Sequence, residues 1–145
     1  PKCFPILGQR SASSPSSELF WDYHVVAVTK DKSNNLMLWD LDTILPFPHN
    51  LCDYILSAFR SVFQFPEKYH PMFKVFTKEE FISSFYSDRS HMLKQDSSGE
   101  YLAPPPSWDL CKPKTFPEKY RDLKEFMDFS GNSKDKIFTL SSFMD

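Results

Sequence analysis

Between Phe20 and Thr43 the chain reads FWDYHVVAVTKDKSNNLMLWDLDT, two runs rich in β-branched and aromatic residues with a polar connector between them. That pattern predicts a β-hairpin with strands Phe20–Val28 and Leu36–Asp42 and a loop Thr29–Asn35. Phe20, Asp22, His24, Val26 and Val28 share one face; Trp21, Tyr23, Val25 and Ala27 share the other. Both faces are largely apolar, so the sheet is expected to be covered on both sides by layers of helix. Leu45–Pro48 (LPFP) stops the second strand, because proline cannot donate to a central ladder.

Upstream, Pro1–Leu7 reads as a short extended piece and the Ser-rich stretch Gly8–Ser17 as a flexible loop. Downstream, Asn50–Gln64 has helical spacing, with Asn50 as N-cap and Asp53 in the first turn. Leu51, Ile55, Ala58 and Val62 form its stripe, widened by Tyr54 and Phe59, and Pro66 ends it. Lys74–Phe76 is a short strand candidate. Thr77 and Glu80 then form a capping box opening a helix that turns Phe81, Ile82, Phe85 and Tyr86 inward. Ser87–Pro106 is polar, then proline-rich, and reads as loop. Pro117 suits the first turn of a further helix carrying Tyr120, Leu123 and Met127, and Lys136–Leu140 is a last strand. Elements of both kinds without a βαβ rhythm predict an α+β domain, an antiparallel sheet flanked by helices.

The 145 residues suit one domain, residues 1–145, with a sizeable core. A net charge of −2 gives no reason to expect a nucleic-acid partner. No apolar run approaches the roughly 18 residues of a membrane span, and there is no signal-peptide pattern. The three cysteines, Cys3, Cys52 and Cys111, are odd in number and widely spaced, which suits a reducing compartment better than a disulfide framework. The chain begins with proline, as a fragment or processed form would.

The hairpin also places the candidate chemistry. Pairing Val28 with Leu36 sets His24 opposite Asp40, with Cβ atoms about 5 Å apart on one face. A carboxylate there fixes the imidazole tautomer and stabilises the imidazolium. The same register sets Asp22 opposite Asp42, where like charges repel unless both reach water or something sits between them. That something is a metal held by Asp22, His24, Asp40 and Asp42, or a substrate ammonium group; no second histidine falls at ligand spacing. On the other side stands a plain structural role for His24 in an apolar strand. Cys52 lies in the first turn of the Asn50 helix, a setting that favours a thiolate. Cys3, followed by Phe4 and Pro5, lies in an extended piece.

Three motifs in order carry a resemblance: WDYHVV at Trp21–Val26, DLDTILPFP at Asp40–Pro48 and SDRSHM at Ser87–Met92. With DSSG at Asp96–Gly99 and the prolines Pro104–Pro106, they make the chain similar to the protein N-terminal glutamine amidohydrolase family. The similarity runs from about Lys2 almost to the C-terminus. It implies an α-β-α sandwich of the papain/transglutaminase type and a Cys-His-Asp triad. The family's histidine matches His24 and its aspartate Asp40. Its cysteine has no match here and is expected in a segment upstream of Pro1, so that this chain alone would be inactive. The resemblance further implies hydrolysis of the side-chain amide of N-terminal glutamine on proteins, in the degradation route that reads N-terminal residues. It implies no cofactor and no metal, protein or peptide substrates, no nucleic-acid or membrane partner, and a monomer of the cytoplasm, extending to the nucleus. A carboxylate for the substrate's ammonium group is expected among Asp22, Asp42 and Asp88. The opposing classes are a catalytically dead homologue serving as a binding module and a metal-dependent hydrolase.

Overall fold

A computed structural model describes residues 3–96, 98–113, 120–130 and 135–144. It is a mixed α/β structure of small antiparallel sheets and short helices. The chain divides into two compact units, residues 1–73 with 138–145 and residues 74–137.

In the first unit, Phe4–Ile6 (β1) pairs antiparallel with Leu19–Trp21 (β2). Ala27–Lys30 (β3), Leu36–Trp39 (β4) and His49–Asn50 (β5) form a three-stranded sheet in that order. The long strand expected over Phe20–Val28 is therefore two strands with different partners. Residues 22–26 lie in neither, and Asp22 explains the break: its Oδ1 accepts the Tyr23 N–H at 2.9 Å, a local bond that competes with a ladder.

The register also departs from expectation. Val28 pairs with Leu38 rather than Leu36, and Lys30 with Leu36. The turn sets this shift. Asp31 Oδ1 accepts the N–H groups of Ser33 and Asn35, both at 2.8 Å, and Asn34 takes a positive φ of 67°. This closes the loop over fewer residues and draws Thr29 and Lys30 into the strand. The expected covering of both faces is not found: β3 is exposed throughout, and Leu38 is the buried residue of β4.

Leu51–Ala58 (α1) begins where the sequence places it, with the Asn50 side chain accepting from the N–H groups of Cys52 and Asp53. It ends earlier than Gln64. The Ala58 carbonyl accepts from Leu7 N–H at 2.9 Å, and Val62 N–H bonds back to Phe59, so the chain tightens into a 3₁₀ turn over Val62–Gln64. The stripe survives the break: Leu51, Tyr54, Ile55, Ala58, Phe59 and Val62 join Ile6, Leu38 and Leu140 in the core. Phe73 and Phe143 stack against it with ring centroids 4.5 Å apart.

Met72–Lys74 (β6) and Ile137–Thr139 (β7) form a two-stranded sheet, displaced slightly from the strands expected at Lys74–Phe76 and Lys136–Leu140. In the second unit Lys78–Ser84 (α2) opens with the expected capping box of Thr77 and Glu80. Phe81 and Phe85 turn inward onto Phe126, but Ile82 is exposed. Leu123–Phe126 (α3) is capped by Asp122, whereas Pro117 lies outside the described residues. The chain closes on Leu140–Met144 (α4).

Candidate active site

The first unit places His24 and Asp40 in contact, with His24 Nε2 3.0 Å from Asp40 Oδ1. They are not cross-strand neighbours. Asp40 directly follows β4, and His24 sits in the irregular stretch between β2 and β3. The contact expected from the register is thus made outside the ladder, by the irregular stretch that brings His24 to Asp40.

Asp40 is 1% exposed. Its Oδ1 accepts from His24 and from the Asp42 backbone N–H at 2.9 Å. Its Oδ2 accepts from the Tyr54 hydroxyl at 2.7 Å and from Gln9 Nε2 at 3.1 Å. Burial alone would raise the Asp40 pKa, but the bonds from His24, Tyr54, the Asp42 N–H and Gln9 together outweigh it and hold the carboxyl well below the usual range. Tyr54 moves the other way. Burial, the bond it donates to Asp40 and the Asp40 charge push its phenol far above the ordinary value, so it remains a neutral donor.

An ionised carboxylate only accepts hydrogen bonds, so Nε2 of His24 carries the proton facing Asp40. Nδ1 is then the free basic nitrogen of the neutral ring. Trp21 covers one ring face, stacked at 5.1 Å with 27° between planes. The His24 side chain is 8% exposed, and its Nδ1 lies 4.0 Å from Asp42 Oδ2. Asp42 keeps more than half its side chain in water, and so offers a negative charge at the open side of the ring.

The other candidates fall differently. Asp22 is exposed, with one oxygen taken by Tyr23 N–H, and the expected opposition of Asp22 and Asp42 does not occur. Asp88 belongs to the second unit, where its Oδ1 accepts the Ser90 N–H at 2.9 Å. Among the described residues one group has metal-ligand composition, His24, Asp40 and Asp42, with ligand atoms within 4.8 Å of one another. Cys52 and Cys111 are exposed and Cys3 is half-buried.

Two participants were missed by sequence reasoning. Gln9 lies in the stretch read as a Ser-rich loop, yet it is 2% exposed. Tyr54 was read as apolar stripe, and its hydroxyl is what reaches Asp40. A signal existed for Tyr54, since a tyrosine on a buried helix face needs a partner for its O–H. Gln9 offered none.

A buried carboxylate fully supplied with donors, an imidazole turned by it and an indole stacked on the ring form an arrangement able to carry out acid–base chemistry. The comparisons agree in class. The family model described as N-terminal glutamine amidase matches residues 1–145, and the chain belongs to that family. It is similar to proteins named protein N-terminal glutamine amidohydrolase, a hydrolase acting on an amide. The zebrafish Danio rerio protein is 33% identical over 99% of this chain and 68% of its own length. The Caenorhabditis elegans protein is 33% identical over 97% of this chain and 78% of its own length. The Drosophila melanogaster protein is 30% identical over 97% of this chain and 66% of its own length. The chain thus spans about two thirds to three quarters of these relatives. Among the described residues no helix is long and apolar enough to cross a membrane.

Proposed function

We propose that this chain carries the acid–base half of a protein N-terminal glutamine amidohydrolase, which converts N-terminal glutamine to glutamate and ammonia. The observation that carries the reading is the 3.0 Å contact between His24 Nε2 and Asp40 Oδ1, which leaves Nδ1 free for chemistry. In this reading a cysteine thiolate, supplied from outside these 145 residues, attacks the side-chain amide carbon. The tetrahedral oxyanion collapses, the C–N bond breaks, and His24 as imidazolium gives its Nδ1 proton to the departing ammonia. The neutral Nδ1 next takes a proton from water, whose oxygen attacks the thioester. The C–S bond breaks to release glutamate, and the sulfur leaves as thiolate. Asp40 stabilises the imidazolium at both stages.

Asp42 is the favoured seat for the substrate's α-ammonium group, as the carboxylate beside Nδ1; Asp22 and Asp88 are the other candidates. A site requiring a free amine leaves its anion unpaired when an internal glutamine enters, and so rejects it. The substrate class points to the degradation route that reads N-terminal residues, in cytoplasm and nucleus, by a monomer of papain/transglutaminase-type fold.

The reading is tested by ammonia release from matched peptides beginning with Gln, Asn or acetyl-Gln. Activity is expected on Gln alone, and His24→Ala is expected to abolish it. Equal rates on Gln and acetyl-Gln, or an active His24→Ala protein, would overturn it. The second reading, metal-dependent hydrolysis, draws on the cluster of His24, Asp40 and Asp42. Yet both Asp40 oxygens already accept two hydrogen bonds each, so a cation there would have to displace donors. Loss of activity on chelation, restored by a divalent metal, would favour it.

A further inference from the structure

Asp40 has more support than a partner for His24 needs. Of its four hydrogen bonds, two go to Oδ2, from Gln9 and Tyr54, and neither touches the imidazole. They come from well-separated parts of the chain. Tyr54 rides on α1, and Gln9 follows Gly8, whose left-handed φ of 70° turns the backbone there. The Gln9 backbone is fastened to the segment that bears Asp40. It forms an isolated bridge with Thr43, Arg10 N–H bonds Asp42 O at 2.7 Å, and Ile44 N–H bonds Gly8 O at 2.8 Å. The clamp and the carboxylate are thus one unit.

The state of Gln9 indicates what this clamp is for. Its Nε2 donates to Asp40, while its Oε1 is buried without a hydrogen-bond partner. A buried unpaired carbonyl destabilises a fold. The amide cannot turn to relieve it, because Oε1 would then face an ionised carboxylate. A methionine of similar size would remove the unpaired oxygen. The site therefore carries a destabilising group at the position where an N–H meets Asp40, which is the expected signature of function taking precedence over stability.

We propose that Gln9 and Tyr54 are positioning residues of the hydrolytic site: by gripping Asp40 Oδ2 they keep Oδ1 on His24 Nε2 and hold His24 in the tautomer that leaves Nδ1 for the reaction. The role rests on the amidohydrolase reading, but the grip itself does not. Without it, the carboxylate is free to turn about its Cβ–Cγ bond until neither oxygen points at His24 Nε2, and the imidazole is no longer confined to one tautomer. The groups facing Asp40 are then the His24 ring, the Asp42 backbone N–H and whichever donor of the pair remains. Asp42 is a nearby negative charge, and the Arg10 guanidinium, whose Nε donates to Thr43 O at 3.1 Å, is a cation held on the same segment.

Two measurements test this. In the 145-residue chain, ¹⁵N chemical shifts of the His24 ring and ¹³C titration of the Asp40 carboxyl are followed in wild type, Tyr54→Phe and Gln9→Met. Wild type is expected to show a proton on Nε2 and a basic Nδ1. The variants are expected to show mixed tautomers, with the Asp40 titration moved towards the ordinary carboxylate range. In the active enzyme, kcat is expected to fall about 10- to 100-fold for Tyr54→Phe and about 10-fold for Gln9→Met, with KM within about 2-fold. The Gln9→Met melting temperature is expected to stay within about 3 °C of wild type, or to rise. An unchanged tautomer in both variants would overturn the proposal. So would activity that falls only in proportion to lost stability. If the enzyme proves inactive on N-terminal Gln, the amidohydrolase reading fails, and the NMR arm still decides whether the grip sets the tautomer.

Discussion

Asp40 and Asp135 are two carboxylates withdrawn from water, one in each unit, and they are partnered in opposite ways. The Asp135 side chain, 12% exposed, receives Arg121 through both oxygens and Lys74 Nζ at 3.1 Å, two permanent cations. The same Arg121 lies over the rings of Phe76 and Phe126, so charge pairing and aromatic packing share one residue. Asp40 has a fully buried side chain and receives three neutral donors and one imidazole. Neutral donors hold a carboxylate ionised without cancelling its charge. The remaining field falls on the imidazole that donates to it. At the second carboxylate two cations face one negative charge, which leaves no negative field to use. The difference between a structural and a chemical carboxylate lies here in the partners rather than in the depth of burial.

The comparison breaks most readily at Asp40. Asp40→Asn keeps the shape but removes the charge, and is expected to lower kcat of the active enzyme by as much as about 10⁴-fold, the loss seen when the aspartate of a serine-protease triad is so changed. A fall of less than 10-fold would mean that His24 does not depend on this field. At Asp135 the same substitution is expected to act on stability alone. Asp135→Asn leaves two cations facing a neutral amide and should destabilise the chain by roughly 3 kcal/mol in urea titration. Activity per folded molecule should remain within about 2-fold; a specific loss of kcat there would erase the distinction.

A smaller effect is expected with pH. The Asp40 pKa is lowered on folding, so its contribution to stability is complete above the unfolded value of about 3.9 and is lost as the pH falls below that towards the depressed native value. Urea titrations between pH 5 and 2.5 should show stability falling less steeply for Asp40→Asn than for wild type; parallel curves would contradict the depressed pKa. The smallest effect is expected for Cys3→Ser, which should leave both rate and stability near wild type. A large loss of activity would make Cys3 the nucleophile.

Local chemistry was legible in the sequence wherever a side chain acts on its own neighbourhood. Asn50 capping α1 and the Thr77–Glu80 box opening α2 follow from residues three positions apart, and both appear as read. Strand pairing was less legible. The run at Phe20–Val28 is rich in strand formers on either side of Asp22, but Leu19–Trp21 finds its partner in β1 while Ala27–Lys30 finds its own in β4, a division made at the Asp22–Tyr23 bond and completed by tertiary pairing. The His24–Asp40 contact was anticipated with the wrong register. His24 and Asp22 both lie in the break between β2 and β3; there the imidazole reaches Asp40, whereas Asp22 accepts the N–H of its own neighbour Tyr23 and does not oppose Asp42. Gln9 was illegible, because a glutamine among serines has no local feature that announces burial.

The indole stacked on His24 has an optical consequence. A protonated imidazole in van der Waals contact is an efficient electron acceptor for an excited indole, whereas the neutral ring is a poor one. Trp21 is therefore placed to report, by the brightness of its own emission, whether its neighbour carries a proton. Trp39 and Trp108 contribute background light, which a Trp21→Phe control subtracts. The histidine's charge can then be followed by ultraviolet fluorescence in dilute solution, without isotope, label or substrate.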